Sequence, residues 1–382
     1  MHSQSSQLPD GIYVASGFGL KVYVERGHLV VHEGVGRRRE TRRFNRATSG
    51  LKRLVIVGRT GFVTLDTLQW LKGIDAAFVQ IGPDGELVAM SAAERFHNTK
   101  LRRAQVLAAE TPVGLEAMRD LLAAKLERQI EIASRISEYA VSGPLFGQAP
   151  TAPVPVVIAR QLDALKEGKT LDDLRAREAV AGRWYWHALG HVPVRFHQSW
   201  SDRVPEHWRI GGPRTSALSG MKSSRKAATP LHALANYAYA ILETEATILL
   251  QAFGFDPSLG ILHTDKRYRG SLATDLMEAG RPAADDVVLE LLEVRELRRG
   301  DVYETREGVC RLGPDLARDL AQRSPALRDA LMPHAAQLAK TLLGDQAKRV
   351  AAPGRRRSRG EAGKGGKRLS TPLTSRTGVG PT

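Results

Sequence analysis

The rhythm of the apolar residues changes once along this chain of 382 residues, near Met90, and that change decides the fold class. Before it, short β-branched runs bounded by glycines read as strands. They are Ile12–Ala15, Leu20–Val24, Leu29–His32, Leu54–Val57 and Ala77–Ile81. Gly27 and the run Gly82-Pro83-Asp84-Gly85 supply turn chemistry. One helix is expected inside this part, from Leu65 to about Lys72, with Thr64 as its cap. After Met90 the spacing is three and four throughout. The expected class is α+β: a β-rich amino-terminal domain at 1–92, then a mainly α-helical domain at 93–346.

The helical part predicts helices over Leu101–Ala109 and from Leu115 to about Tyr139, with Pro112 between them. Glycines and prolines from Ser142 to Pro155 mark a loop, and Thr170 with Asp173 resembles a capping box that opens the next helix. A long helix spans Leu231–Phe253, and Ser271 is placed to cap a short one that Gly280 and Pro282 stop. Val287–Leu292 reads as helical, Tyr303–Leu312 as a hairpin about Glu307-Gly308, and Asp315–Leu343 as closing helices.

Charge narrows the partner. The formal net charge is +15, which points to a polyanion. From Lys348 onward there are ten basic residues against Glu361 alone, so this end carries +9 and leaves a milder +6 elsewhere. The segment 347–382 has no apolar periodicity and is expected to be a basic disordered tail. One cysteine, Cys310, excludes an internal disulfide and a cysteine-rich zinc module. The polar amino terminus lacks a signal-peptide pattern, and Glu243 and Glu245 interrupt the longest apolar region. A cytoplasmic protein with no membrane span is expected.

Two places carry candidate chemistry. Asp275 and Glu278 are three apart on the helix that begins at Ser271, so their carboxylates lie close together and repel. A divalent cation would relieve this, and His263, one short loop upstream, offers an imidazole. The alternative is a solvent-facing acidic pair beside an unrelated histidine. Glu178 is the second place. It interrupts the stripe Leu171, Leu174, Ala181, Tyr185, Leu189 where the rhythm demands an apolar residue. Burying a lone carboxylate costs several kcal/mol, by order of magnitude, unless it is paired or metal-bound. Glu245 breaks its own stripe in the same way, and a buried salt bridge would explain either.

Other motifs carry less. Four of the five tryptophans lie between Trp184 and Trp208 with His187, His191, His197 and His207, as a core or as a platform for unpaired bases. His187 and His191 have half of a zinc-protease spacing, but Ala188 stands where a general-base glutamate is needed. Arg37, Arg38, Arg39, Arg42, Arg43 and Arg46 crowd one connection, as a solvated hairpin or a phosphate-contacting edge. No Walker loop or G-x-S-x-G elbow occurs.

Four passages, in order and at matching spacing, resemble the CRISPR-associated integrases of spacer acquisition, the Cas-one family. Glu178-Ala-Val-Ala-Gly-Arg183-Trp-Tyr185-Trp186 is similar to its glutamate helix. Pro230-Leu-His-Ala-Leu-Ala-Asn236-Tyr237-Ala-Tyr239 is similar to its P-x-N-x-x-x-N-Y-x-Y helix, with His232 in place of the first asparagine. Gly254-Phe-Asp256-Pro257-Ser-Leu-Gly260-Ile-Leu-His263 and Ser271-Leu272-Ala-Thr-Asp275-Leu276-Met277-Glu278-Ala-Gly-Arg281-Pro282 resemble its G-x-D-P-x-x-G-x-x-H and S-L-x-x-D-L-M-E-x-x-R-P segments. Leu101–Gln105 and Lys125–Gln129 also fit helices that come after the family's β domain.

The resemblance covers about residues 10 to 345. It implies that the ligands of a magnesium or manganese ion fall on Glu178, His263 and Glu278, with Asp275 as neighbour or secondary ligand. It makes Arg183, Arg225, Arg281, Tyr185 and Asn236 candidate DNA contacts. The reaction it implies is a metal-dependent transesterification in which a DNA 3′-hydroxyl attacks a phosphodiester of a CRISPR array. Double-stranded and branched DNA are the implied substrates. By the same likeness the amino-terminal part builds a homodimer, and the partner is the small dimeric Cas-two protein. A transposon-encoded integrase of the same fold shares this site, whereas a non-catalytic DNA-binding scaffold would not need its ligands.

Overall fold

The computed structural model describes residues 11–34, 39–58, 60–82, 87–91, 98–139, 152–215, 226–263 and 270–344. Arg37, Arg38, Arg225, most of the glycine- and proline-rich stretch after Ser142 and the basic segment 347–382 lie outside these residues.

The chain begins with strands β1 (Ile12–Ser16), β2 (Leu20–Glu25), β3 (His28–Glu33) and β4 (Glu40–Phe44). Next come strands β5 (Arg53–Val57) and β6 (Gly61–Val63), helix α1 (Leu65–Gly73), and strands β7 (Ala77–Ile81) and β8 (Leu87–Ser91). In one sheet β1, β5 and β7 run parallel, with β8 antiparallel at the edge. In the other, β4, β3 and β2 are antiparallel and β6 lies parallel to β2. Strand β5, inside the first sheet, is buried on both faces, which is why it reads Arg-Leu-Val-Ile-Val without alternation. Leu54, Ile56 and Phe78 meet Val22, Leu29, Val31 and Trp70, whereas Val55, Val57, Val79 and Ile81 meet the helices.

The apolar pattern did not reveal β4, β6 and β8. β4 reads Glu-Thr-Arg-Arg-Phe and β6 is exposed throughout. All three are edge strands, held by backbone pairing to one neighbour, so an apolar signature is not required of them.

Helices α2 (Thr99–Ala108), α3 (Pro112–Arg135), α4 (Val154–Lys166) and α5 (Leu171–Leu189) come next. A short α6 (Gln198–Ser201), then α7 (Pro230–Phe253) and α8 (Ser271–Val294), continue the chain. A ribbon of β9 (Val302–Glu304) and β10 (Cys310–Leu312) precedes α9 (Pro314–Ala321) and α10 (Ser324–Leu343). The start of α4 falls in the stretch marked as a loop. Pro155 sits in its first turn, where the missing N–H has no partner to lose.

The largest departure from expectation is α8. Gly280 and Pro282 do not stop it; it runs on through Val287–Leu292 to Val294, and Gly270 rather than Ser271 holds the N-cap position. The helix packs against α3, α7 and α10 and is buried along most of its length. A Cβ on Gly280 would stand 2.6 Å from Leu331 Cδ2 and 2.9 Å from Leu242 Cδ1, so this glycine admits two neighbouring helices. Packing on three sides outweighs an interior proline cost of about 3 kcal/mol.

A buried ion pair ties the first sheet to the helices. Arg53 on β5 is paired through both terminal guanidinium nitrogens with Glu245 on α7, one contact at 3.1 Å, and reaches Ser324 Oγ of α10 at 3.4 Å. Glu245 therefore interrupts its stripe for a structural reason. Among the described residues no helix is long and apolar enough to cross a membrane.

Candidate active site

The Thr170 side chain accepts from the Asp173 backbone and Asp173 accepts in return from the Thr170 N–H, so the capping box sets where α5 starts. Two turns on, Glu178 faces inward and is half-buried. Arg175 of the same helix donates from Nε to the Leu262 carbonyl at 3.0 Å, fastening α5 to the loop that carries His263.

That loop is shaped by Asp275 of α8. Asp275 Oδ2 accepts from the Ile261 and Leu262 backbone at 2.7 and 3.0 Å, and Oδ1 accepts from the His263 backbone at 2.9 Å. His263 Nδ1 donates to the same Oδ1 at 2.6 Å. Gly260 makes the turn possible, because a Cβ there would lie 2.3 Å from the His263 carbonyl oxygen. Both oxygens of Asp275, which is buried, are thus committed to the loop. Of the two roles expected for Asp275, neighbour or secondary ligand, these bonds fit the first and not the second: it orients the imidazole and leaves Nε2 as the group His263 can offer.

Glu278 lies one turn beyond Asp275, and a single side chain joins it to Glu178. Lys125, in the middle of α3 and 3% exposed, donates from Nζ to Glu178 Oε1 and, at 2.6 Å, to Glu278 Oε2. Arg281 pairs with the other oxygen of Glu278 at 3.0 Å. Burial alone would raise the Glu278 pKa. The charges of Arg281 and Lys125 and the Lys125 hydrogen bond outweigh it and bring the value down to about 2.

Beside these groups lies a pocket of about 240 Å³ lined by Lys125, Gln129, Glu178, Arg183, Arg214 and Arg281, among others. Its aromatic wall holds two of the arginines. The Arg214 guanidinium stands 4.0 Å from the Trp186 ring centre and that of Arg281 5.2 Å from the Tyr239 ring centre. Behind this wall Asp285 accepts from the Tyr185 hydroxyl at 2.9 Å and the Tyr239 hydroxyl at 2.5 Å. Burial pushes the Asp285 carboxyl up to about 6, against the two hydroxyls and the charges of Arg281 and Arg214.

The donor set suits a hard divalent cation. Two carboxylates from α5 and α8 converge closely enough to share one ammonium, and an imidazole with a fixed tautomer sits on the adjoining loop. Among the described residues no three histidine, cysteine or acidic side chains already stand poised around one point. The place between Glu178 and Glu278 is taken by Lys125 Nζ.

The family model described as CRISPR associated protein Cas1 matches residues 13–324. The chain belongs to the Cas1 family. It is 29% identical over 315 residues to a CRISPR-associated endonuclease Cas1 of Archaeoglobus fulgidus, covering 80% of this chain and 84% of that one. A structure of a casposase bound to integration product superposes with a TM-score of 0.68 at 20% identity, covering 87% and 90% of the two chains. A Cas6-RT-Cas1–Cas2 complex gives 0.63 at 15% identity, over 90% of this chain and 36% of the other. At these identities the two structures speak for the Cas1 fold.

The remaining Cas1 expectations divide. Arg183 is exposed and lines the pocket with Arg281. Tyr185 is corrected: it is fully buried with its hydroxyl on Asp285, so no face of it is open to DNA. Asn236 is half-buried on α7 outside the pocket lining, and Arg225 lies outside the described residues. His187 and His191 stack edge to face at 4.8 Å, with His191 Nδ1 on the His187 carbonyl, which is a packing role. Lys125, Gln129, Arg214 and Asp285 were not anticipated as site residues. Lys125 and Gln129 interrupt the buried face formed by Leu121, Leu122, Leu126 and Ile132. The signal that singled out Glu178 was therefore present on α3 as well.

Proposed function

We propose that this Cas1-family protein is a metal-dependent DNA endonuclease and integrase that inserts foreign DNA fragments into a CRISPR array. The observation that carries the reading is the convergence of Glu178 and Glu278 on one cation position, beside an imidazole locked by Asp275. Glu178, Glu278 and His263 Nε2 would hold magnesium or manganese. When bound, that cation lowers the pKa of an attacking hydroxyl and offsets charge growing on the phosphate oxygens.

The chain's own residues supply the remainder. Arg281 and Lys125 keep Glu278 ionised, and Asp275 fixes the imidazole. Arg183, Arg214 and Arg281 present guanidinium groups to a phosphate backbone entering the pocket. A DNA 3′-hydroxyl attacks a phosphodiester in line, a new phosphodiester forms, and a 3′-hydroxyl leaves. The bonds made and broken are alike, so no nucleotide triphosphate is consumed. The likeness to a casposase bound to integration product supports DNA as substrate.

The domain roles are part of the same reading. The β-rich part at 1–92 pairs two copies, supported by exposed apolar side chains Phe62, Val63, Leu65 and Leu68 along β6 and α1. The helical part at 93–346 carries the chemistry, and the basic segment 347–382 adds salt-sensitive affinity for DNA. The Cas1–Cas2 complex of the same fold supports a small Cas2 partner.

The test is strand transfer into supercoiled plasmid with manganese. The wild type is expected to join a 3′-hydroxyl end, to lose this with chelator, and to fall at least about a hundredfold in Glu178→Ala and Glu278→Ala. Undiminished joining by either variant would leave a DNA-binding scaffold with a contaminating activity as the better account.

A further inference from the structure

We propose that the Lys125 ammonium is a resident counter-ion of the site: it holds Glu178 and Glu278 together before the divalent cation arrives and competes with that cation for the same place. The proposal rests on the metal reading above and assigns Lys125 a positioning role within it.

Two carboxylates brought together inside a protein repel, and a cation between them removes the penalty. Lys125 Nζ occupies that place now, in contact with Glu178 and 2.6 Å from Glu278. It comes from a third helix, α3, and has almost no solvent exposure. The ammonium therefore balances the two carboxylates in the arrangement they share. A divalent cation bound by the same oxygens would stand where the ammonium stands, so one must displace the other from Glu178.

A destination for the ammonium lies on the same face of α3. Gln129, one turn along, is 3% exposed and lines the adjoining pocket. Its Oε1 is buried with no hydrogen-bond partner among the described residues. A four-carbon stem lets Nζ swing from the carboxylates toward that oxygen without moving the helix. Buried acceptors are rarely left unsatisfied, and this swing would satisfy one. Arg183, Arg214 and Arg281 line the same pocket, so the displaced ammonium joins the wall that faces a phosphate.

The test compares the full chain with Lys125→Met, which keeps the stem and removes the charge. Thermal melting is measured in chelator and across a manganese chloride titration, and manganese affinity by calorimetry. The variant is expected to melt below the wild type in chelator, to gain more from manganese, and to bind manganese about tenfold more tightly, a typical coupling between sites. A lysine that only packs would weaken the fold at every manganese concentration. Unchanged or weaker manganese affinity in Lys125→Met overturns the proposal. Should Lys125→Met not fold, the double variant Lys125→Met/Glu178→Gln restores the charge balance and is expected to fold, and its failure overturns the proposal too. A wild type that shows no saturable response to manganese sinks the metal reading itself, a different result from equal responses in wild type and variant.

Discussion

His232 shows what a single residue contributes away from the chemistry. It is buried on α7 against the Trp186 ring, donates from Nε2 to the Gly212 carbonyl at 3.0 Å, and has no partner for Nδ1 among the described residues. Burial pushes its pKa down to about 4, with the Gly212 bond opposing and the Arg214 charge adding to the shift. A free imidazole titrates near about 6.5. Between those values the unfolded chain binds the proton and the folded chain does not. The contribution of His232 is therefore intact above about pH 6.5 and is lost as pH falls toward 4. Asp285, with its raised pKa, has the opposite slope below about pH 6. It is present in both members of a comparison with His232→Asn and cancels. Urea unfolding at pH 7 and pH 5 is expected to show the wild type losing about 2 kcal/mol more than His232→Asn; equal losses would contradict a buried neutral imidazole.

Elements here are joined by charged groups as well as by apolar faces. Glu245→Ala would leave Arg53 buried without its partner between β5, α7 and α10, at a cost of about 3–5 kcal/mol in urea unfolding. Arg53→Met/Glu245→Leu, which removes both charges, is expected to recover most of that loss, and a double variant no better than the single would contradict the account. The same two residues mark the limit of what the sequence disclosed. The break in the α7 stripe at Glu245 was legible, but its partner lies 192 positions away and no local pattern names it. The strands β1, β2, β3, β5 and β7 were legible because a buried face demands an apolar pattern, whereas β4, β6 and β8, edge strands that bury little, were not. Gly280 and Pro282 misled for a related reason. Helix propensity is a local property, and α8 is held from outside by Leu242 and Leu331.

At the scale of the whole molecule, α3, α5 and α8 bring Lys125, Glu178 and Glu278 into contact, and Asp275 of α8 holds the loop that carries His263. Glu178 was singled out by a broken stripe and Glu278 by its spacing from Asp275, with His263 one loop upstream, and the resemblance to a family named the three together as proposed ligands. Asp275 was read as a neighbour or a secondary ligand because spacing along a helix cannot show that backbone N–H groups of the preceding loop have already taken its oxygens. The central claim is that three side chains from three segments serve one divalent cation. Calorimetric titration of manganese into the wild type, Glu178→Ala, His263→Ala and Glu278→Ala tests it most directly. One saturable site in the wild type, weakened at least about tenfold in each variant, is the predicted result; a variant that folds and binds manganese as tightly as the wild type would contradict it.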